Sequence, residues 1–134
     1  VEGEMRIRQG VDIVAVSRLR AVCERHGRFV EETFTENELL YCMSKRDPYP
    51  HLAGRFAAKE ACLKALGRGL RGAGGMLGEI EVAREPSGRP SLRLSGRAGK
   101  LAGRLGVSGM TVSISHTGDL AVSTVILTGR EAEG

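Results

Sequence analysis

With 134 residues the chain is long enough to bury a core as one domain, and its three cysteines (Cys23, Cys42, Cys62) have neither metal-ligand nor CxxC spacing. No apolar run is long enough to span a bilayer and no secretory leader is visible, so the expectation is a cytoplasmic protein with reduced thiols. The net charge of +4 favours an anionic partner: nucleic acid, a phosphorylated small molecule or an acidic protein. Trp is absent and glycine reaches 19 residues, so the core must come from Leu, Val, Ile and Ala. Either Met5 is a natural start with residues 1–4 an upstream remnant, or the chain is a domain cut from a longer polypeptide.

Residues 6–16 alternate and then run apolar, which predicts a strand. Asp12 stands inside this β-branched run, where a charge is costly to desolvate unless something pairs it. It is either a strand-end cap for a neighbouring turn or part of a cation site. Ser17 can cap a helix over 18–26 that Gly27 ends, with Leu19, Val22 and Cys23 facing in. Arg18 and Arg25 then share a face, with Arg28 just beyond; the row is solvated surface or a match for an acidic protein. A short helical turn is expected over 29–34. Thr35 and Glu38 form a capping box that opens another helix, with Leu39, Leu40 and Met43 inward. Residues 44–50 form a loop that carries Lys45 and Arg46.

A long helix is expected over 50–66, with Pro50 in its first turn and Gly67 as its stop. At about 100° per residue, Leu52, Phe56, Leu63 and Leu66 share one face. The opposite face is Gly54, Ala58, Ala61 and Ala65, small rather than charged. Lys59 falls within the apolar stripe, Glu60 and Lys64 line its edge, and Arg55 flanks the other side. A surface helix would carry its charges on the back. Glu60 and Lys64 can form an exposed i,i+4 pair, worth only about 0.2–0.5 kcal/mol. The fuller reading is a helix packed on both sides that presents charged groups to a ligand.

The glycine-rich stretch 67–78 matches no phosphate-binding fingerprint and reads as a mobile loop. A strand over 79–84, a turn at Pro86-Ser87-Gly88 and a return strand over 90–94 follow. Residues 95–105 form a helix with Ala98, Leu101, Ala102 and Leu105 inward. Residues 110–116 alternate strictly as a half-buried strand, with His116 on the side of Met110, Val112 and Ile114. The chain turns at Thr117-Gly118-Asp119, returns as a strand over 120–127 and ends in a tail over 128–134. No repeat or interior linker is visible, so one domain over 1–134 is expected. Without a Gly-x-Ser-x-Gly elbow, a hydrolase triad is not expected, and the sheet segments lack the aromatics that would stack RNA bases.

The unusual groups are two carboxylates (Asp12, Glu60), the cations Lys45, Arg55, Lys59 and Lys64, and His116. Cys and His at zinc spacing are missing. Two carboxylates suit Mg²⁺, which keeps waters and takes further oxygens from substrate phosphates. This combination describes phosphoryl or phosphate-ester transfer.

Three blocks, Gly10-Val11-Asp12-Ile13, residues 54–61 with Lys64-Ala65-Leu66-Gly67, and Ser113-Ile114-Ser115-His116, resemble the signatures of 4′-phosphopantetheinyl transferases. Length and spacing resemble the short holo-acyl-carrier-protein synthase branch, and the likeness covers nearly the whole chain. The resemblance implies an α+β fold, with a small antiparallel sheet packed on a long central helix and shorter helices, and a homotrimer with sites between subunits. It implies transfer of the phosphopantetheine arm of coenzyme A to a serine of an apo acyl carrier protein, with Mg²⁺ required and adenosine 3′,5′-bisphosphate left. Asp12 and Glu60 match the metal ligands, with Glu60, Lys64 and His116 as the catalytic set and Lys64 near the α-phosphate. Lys45, Arg55 and His116 match positions around the nucleotide and its 3′-phosphate, and Lys59 and Lys64 are expected beside the coenzyme with them. Arg18, Arg25 and Arg28 match the face that meets the acidic carrier. Thr117 stands where many relatives carry an acidic residue, so the acceptor of the serine proton is open. A silent coenzyme-binding module is the alternative.

Overall fold

The structure is a computed structural model that describes residues 3–68 and 75–130. Two long strands, β4 (Val107–Thr117) and β5 (Leu120–Arg130), form a hairpin, and β1 (Met5–Ala15) pairs with the far side of β5, giving the antiparallel order β1-β5-β4. β2 (Ile80–Arg84) and β3 (Pro90–Leu94) form a separate two-stranded sheet. Three helices precede the long one: α1 (Val16–Arg25), α2 (Gly27–Thr33) and α3 (Glu36–Met43). The central α4 spans Tyr49–Ala65, with Pro50 in its first turn, and α5 spans Gly96–Arg104. Helices and small antiparallel sheets thus make an α+β fold, as expected.

α4 is the axis of the core. Of its residues only Tyr49, Pro50, His51, Phe56 and Lys64 are not buried. One apolar cluster gathers Ala61, Leu63, Ile80, Leu101 and Val125 on one side of it; a second gathers Leu19, Phe34, Leu52 and Ala121 on the other. Burial of a leucine such as Leu63 stabilises by about 1.5–3 kcal/mol, so packing rather than propensity holds this helix. The small face explains how close the packing is. A Cβ on Gly10 would stand 1.9 Å from the Ala61 carbonyl oxygen, so β1 and α4 touch backbone to backbone.

Several local expectations are corrected. Ser17 does not cap α1. Helix α1 already starts at Val16, and Asp119 from the β4–β5 turn accepts from the Ser17 N–H (2.9 Å) and hydroxyl (2.6 Å). Gly27 opens α2 instead of only closing α1. The capping box at Thr35 and Glu38 is present, but α3 buries Glu38 and Cys42, while Leu40 and Met43 are exposed. Residues 128–130 extend β5 rather than beginning a tail. Of the glycine-rich stretch, 69–74 lie outside the described residues, and Met76–Glu79 form a 3₁₀ turn. Among the described residues no helix is long and apolar enough to cross a membrane.

Candidate functional site

Alternation along β1 turns Arg8, Gly10, Asp12 and Val14 toward the helix side of the sheet and Ile7, Val11 and Ile13 outward. Close approach at Gly10 therefore delivers Asp12, two residues on, to the charged edge of α4. Lys64 Nζ donates to Asp12 Oδ1 (3.0 Å) and to the Val11 carbonyl (2.9 Å). The expected Glu60–Lys64 pair is thus replaced by a bond between helix and strand. Glu60 is 5 % exposed, and its Oε1 is buried without a partner. Burial pushes the Glu60 carboxyl up, the Asp12 charge adds to this, and Lys64 opposes both.

These three groups open into a cleft of about 410 Å³ whose apolar wall includes Leu19, Phe29 and Phe56, with Arg18 also on its lining. A divalent cation fits the donor set. It would give the orphaned Glu60 oxygen a partner and relieve the repulsion between two carboxylates on different elements. Among the described residues no third Cys, His, Asp or Glu joins them, so a metal held here would take its other ligands from water or from a bound molecule.

A second neighbourhood surrounds Tyr41. Lys45 Nζ lies 4.6 Å and the Arg55 guanidinium 4.4 Å from its ring centroid. His51 meets the same ring edge-on at 6.0 Å, and His116 meets His51 at 6.1 Å. Burial, then Arg55 and Lys45, hold the His51 imidazole below its usual range. Within one chain Tyr41 and Arg55 line a different cavity from the carboxylate cleft. Tyr41, His51 and Arg84, whose guanidinium is 4.3 Å from the Tyr41 centroid, were not singled out by sequence. A tyrosine one helical turn before Lys45, in a chain with so few aromatics, was the available signal.

Lys59, expected beside the coenzyme, lies apart from both groups. It is fully buried, paired with Glu38 at 2.7 Å, and donates to the carbonyls of Leu77 and Ile80. Burial pulls its pKa down while Glu38 opposes. Glu38 in turn accepts from the N–H groups of Thr35 and Val82, both at 2.8 Å. Lys59 is the tie between α3, α4 and the start of β2. Of the arginine row, Arg18 borders the carboxylate cleft, Arg25 is exposed in the last turn of α1, and Arg28 sits on α2 opposite Glu32 at 4.0 Å.

A family model described as the ACPS 4′-phosphopantetheinyl transferase superfamily matches residues 8–125. The chain belongs to this superfamily. Among curated relatives of this transferase chain, the holo-[acyl-carrier-protein] synthase of Chloroflexus aurantiacus is 46% identical over 129 residues, covering 87% of this chain and 94% of the relative. The synthase of Caldanaerobacter subterraneus is 40% identical, covering 95% and 98%. The ACPS–coenzyme A complex of Chronobacterium ammoniagenes superimposes with a TM-score of 0.79 at 32% identity, covering 96% of this chain and 99% of that one. The holo-[acyl-carrier-protein] synthase of Helicobacter pylori, also in complex with coenzyme A, gives 0.72 at 30%, covering 89% and 98%.

Proposed function

We propose that this chain is a holo-acyl-carrier-protein synthase, which moves the 4′-phosphopantetheine arm of coenzyme A to a serine of an apo acyl carrier protein and leaves adenosine 3′,5′-bisphosphate. The observation that carries this reading is the buried, half-unpartnered Glu60 beside Asp12 and Lys64 at the foot of a cleft. Family membership supports it, as do the names of the relatives and the coenzyme bound in two of the similar structures.

Asp12 and Glu60 would hold Mg²⁺, which when bound neutralises diphosphate charge. The serine oxygen attacks the phosphorus that carries the pantetheine arm, its proton passing to solvent, and the bond from that phosphorus to the bridging oxygen breaks. Charge then gathers on the departing α-phosphate. Lys64, paired with Asp12 at the carboxylate edge, would receive it. The apolar wall at Leu19, Phe29 and Phe56 limits water there. Lys45, Arg55 and His116 would bind the nucleotide end.

We also propose a homotrimer with sites between copies. The outer face of the β1-β5-β4 sheet exposes Ile7 (72%), Val11, Ile13 (64%), Leu120 and Ile126, a contiguous apolar surface of the kind that marks interfaces. Assembly would also let the coenzyme groups of one copy serve the carboxylate cleft of another. Sedimentation is expected to give a trimer; a fully active monomer would overturn this part.

Arg18 and Arg25 would meet the acidic carrier, since Arg18 lies at the cleft itself. Exposed charges steer encounter and are screened beyond about 8 Å at physiological salt. Arg18→Glu with Arg25→Glu is therefore expected to raise the apparent KM for the carrier and flatten the salt dependence of kcat/KM, with coenzyme A affinity nearly unchanged. Steady-state kinetics at several salt concentrations checks this. Equal weakening of coenzyme A would assign Arg18 to the coenzyme instead. The function itself is tested by the mass of an apo carrier protein after incubation with this chain, coenzyme A and Mg²⁺.

A further inference from the structure

Helix α1 carries two of the arginines proposed to meet the carrier, yet its own sequence holds it weakly. A helix of ten residues is marginal alone. Its N-cap, Ala15, offers no side-chain acceptor. Its first turn has no acidic residue and places Arg18 at the positive end of the helix dipole. Its buried residues, Val16 and Leu19, both lie in that turn, so packing holds α1 chiefly at this end.

The missing acceptors come from a residue 102 positions away. Strands β4 and β5 are joined by the two residues Gly118 and Asp119, with Gly118 at φ 55°. Pairing of Ala15 with Leu120 brings the start of α1 beside that turn. The Asp119 carbonyl accepts from the Val16 N–H at 2.7 Å, its Oδ1 from the Ser17 N–H at 2.9 Å and its Oδ2 from the Ser17 hydroxyl at 2.6 Å. Two N–H groups that the helix cannot satisfy itself are thus paired, and a carboxylate stands where the dipole favours one. A two-residue hairpin turn is fixed by its strands, so the carboxylate arrives already placed.

This clamp lies against the carboxylate cleft. Ala15, Arg18 and Leu19 line one wall of it, and Asp12, Glu60 and Lys64 line it as well. Fraying of the first turn of α1 would move Arg18 and Leu19 off their wall. Asp12 would stay, held in β1, as would Glu60 and Lys64 in α4. His116, before the same turn, is paired with Ala121 in the β4–β5 ladder, which needs no Asp119 side chain.

We propose that Asp119 is a positioning residue for recognition of the acidic carrier. From the β4–β5 turn it fixes the first turn of α1, and through it Arg18 and Leu19 at the cleft. The inference rests on the proposed function, in which Arg18 meets the carrier and Asp119 has no part.

Steady-state kinetics of the full chain with varied apo carrier, at saturating coenzyme A and Mg²⁺ and per folded molecule, tests it. Asp119→Ala is expected to raise the carrier KM about fivefold, the scale of losing one helix cap, with kcat and the calorimetric affinity for coenzyme A unchanged. Asp119→Asn, which keeps an acceptor oxygen, should recover most of the loss. Ser17→Ala keeps both bonds to backbone N–H groups and should show a smaller rise. In an Arg18→Ala background, Asp119→Ala should add little, because its effect passes through the turn that places Arg18. Hydrogen exchange should quicken in the first turn of α1 and stay as in the wild type in α4. A purely structural cap would lower the thermal midpoint and leave the carrier KM of the folded protein alone. That result, full additivity with Arg18→Ala, or equal weakening of coenzyme A and carrier would overturn this inference and leave the proposed function standing. A wild type that leaves the carrier unmodified would overturn the proposed function and this inference with it.

Discussion

Asp12→Ala and Glu60→Gln are each expected to cut transfer by at least ~10²-fold, the scale for losing one preorganised electrostatic contact at a reacting centre. Stability should not follow activity. Glu60 is a desolvated carboxylate with an orphaned oxygen, and its carboxyl is pushed up both by burial and by Asp12. An isosteric amide removes that repulsion, so Glu60→Gln is expected to melt at or above the wild-type temperature while losing activity. A group that costs stability and carries activity is the mark of a functional site. The metal assignment has its own readout: Mg²⁺ should raise the thermal midpoint of the wild type by mass action and leave both variants unmoved. Full activity in either variant would contradict the assignment.

The largest stability effect is expected at Lys59→Met. Removing one member of a buried ion pair strands the other, and here Glu38 would stay fully buried with only the N–H groups of Thr35 and Val82 beside it. The cost is about 3–5 kcal/mol, a large share of the 5–15 kcal/mol typical of a domain. Adding Glu38→Gln should recover part of it, because the stranded charge is gone while an acceptor remains. Urea midpoints at constant slope measure both effects. Coenzyme A affinity per folded molecule should be unchanged. A Lys59→Met variant of normal stability that has lost coenzyme A would restore the sequence-based place of this lysine and overturn the structural one.

Lys59 also shows where sequence reasoning stops. Its position within the apolar stripe of α4 was visible as a misfit, but its partner lies 21 residues away in another helix, and no local pattern announces a pair that distant. The same pair misled the reading of α3. Glu38 was legible as the capping-box residue, which it is, and such residues are ordinarily solvated; burying it turned Leu40 and Met43 outward. Ser17 followed capping preference on paper, yet Asp119, 102 residues on, already holds its N–H and hydroxyl. The elements that were legible carry local signals: the proline-opened α4, the Pro86-Ser87-Gly88 hairpin, and strict alternation into His116. Asp12 could be flagged because a carboxylate in a β-branched run is locally improbable. Arg84 could not, because a strand-end arginine looks ordinary until Tyr41 is placed beneath it.

The central claim is covalent transfer, and the mass of the carrier protein tests it most directly. Apo acyl carrier protein incubated with this chain, coenzyme A and Mg²⁺ is expected to gain the mass of one phosphopantetheine arm, with adenosine 3′,5′-bisphosphate released in equal amount and no gain with Glu60→Gln. Tight coenzyme A binding by the wild type, with carriers of both fatty-acid and polyketide type left unmodified, would contradict the account and leave a coenzyme-binding module in its place.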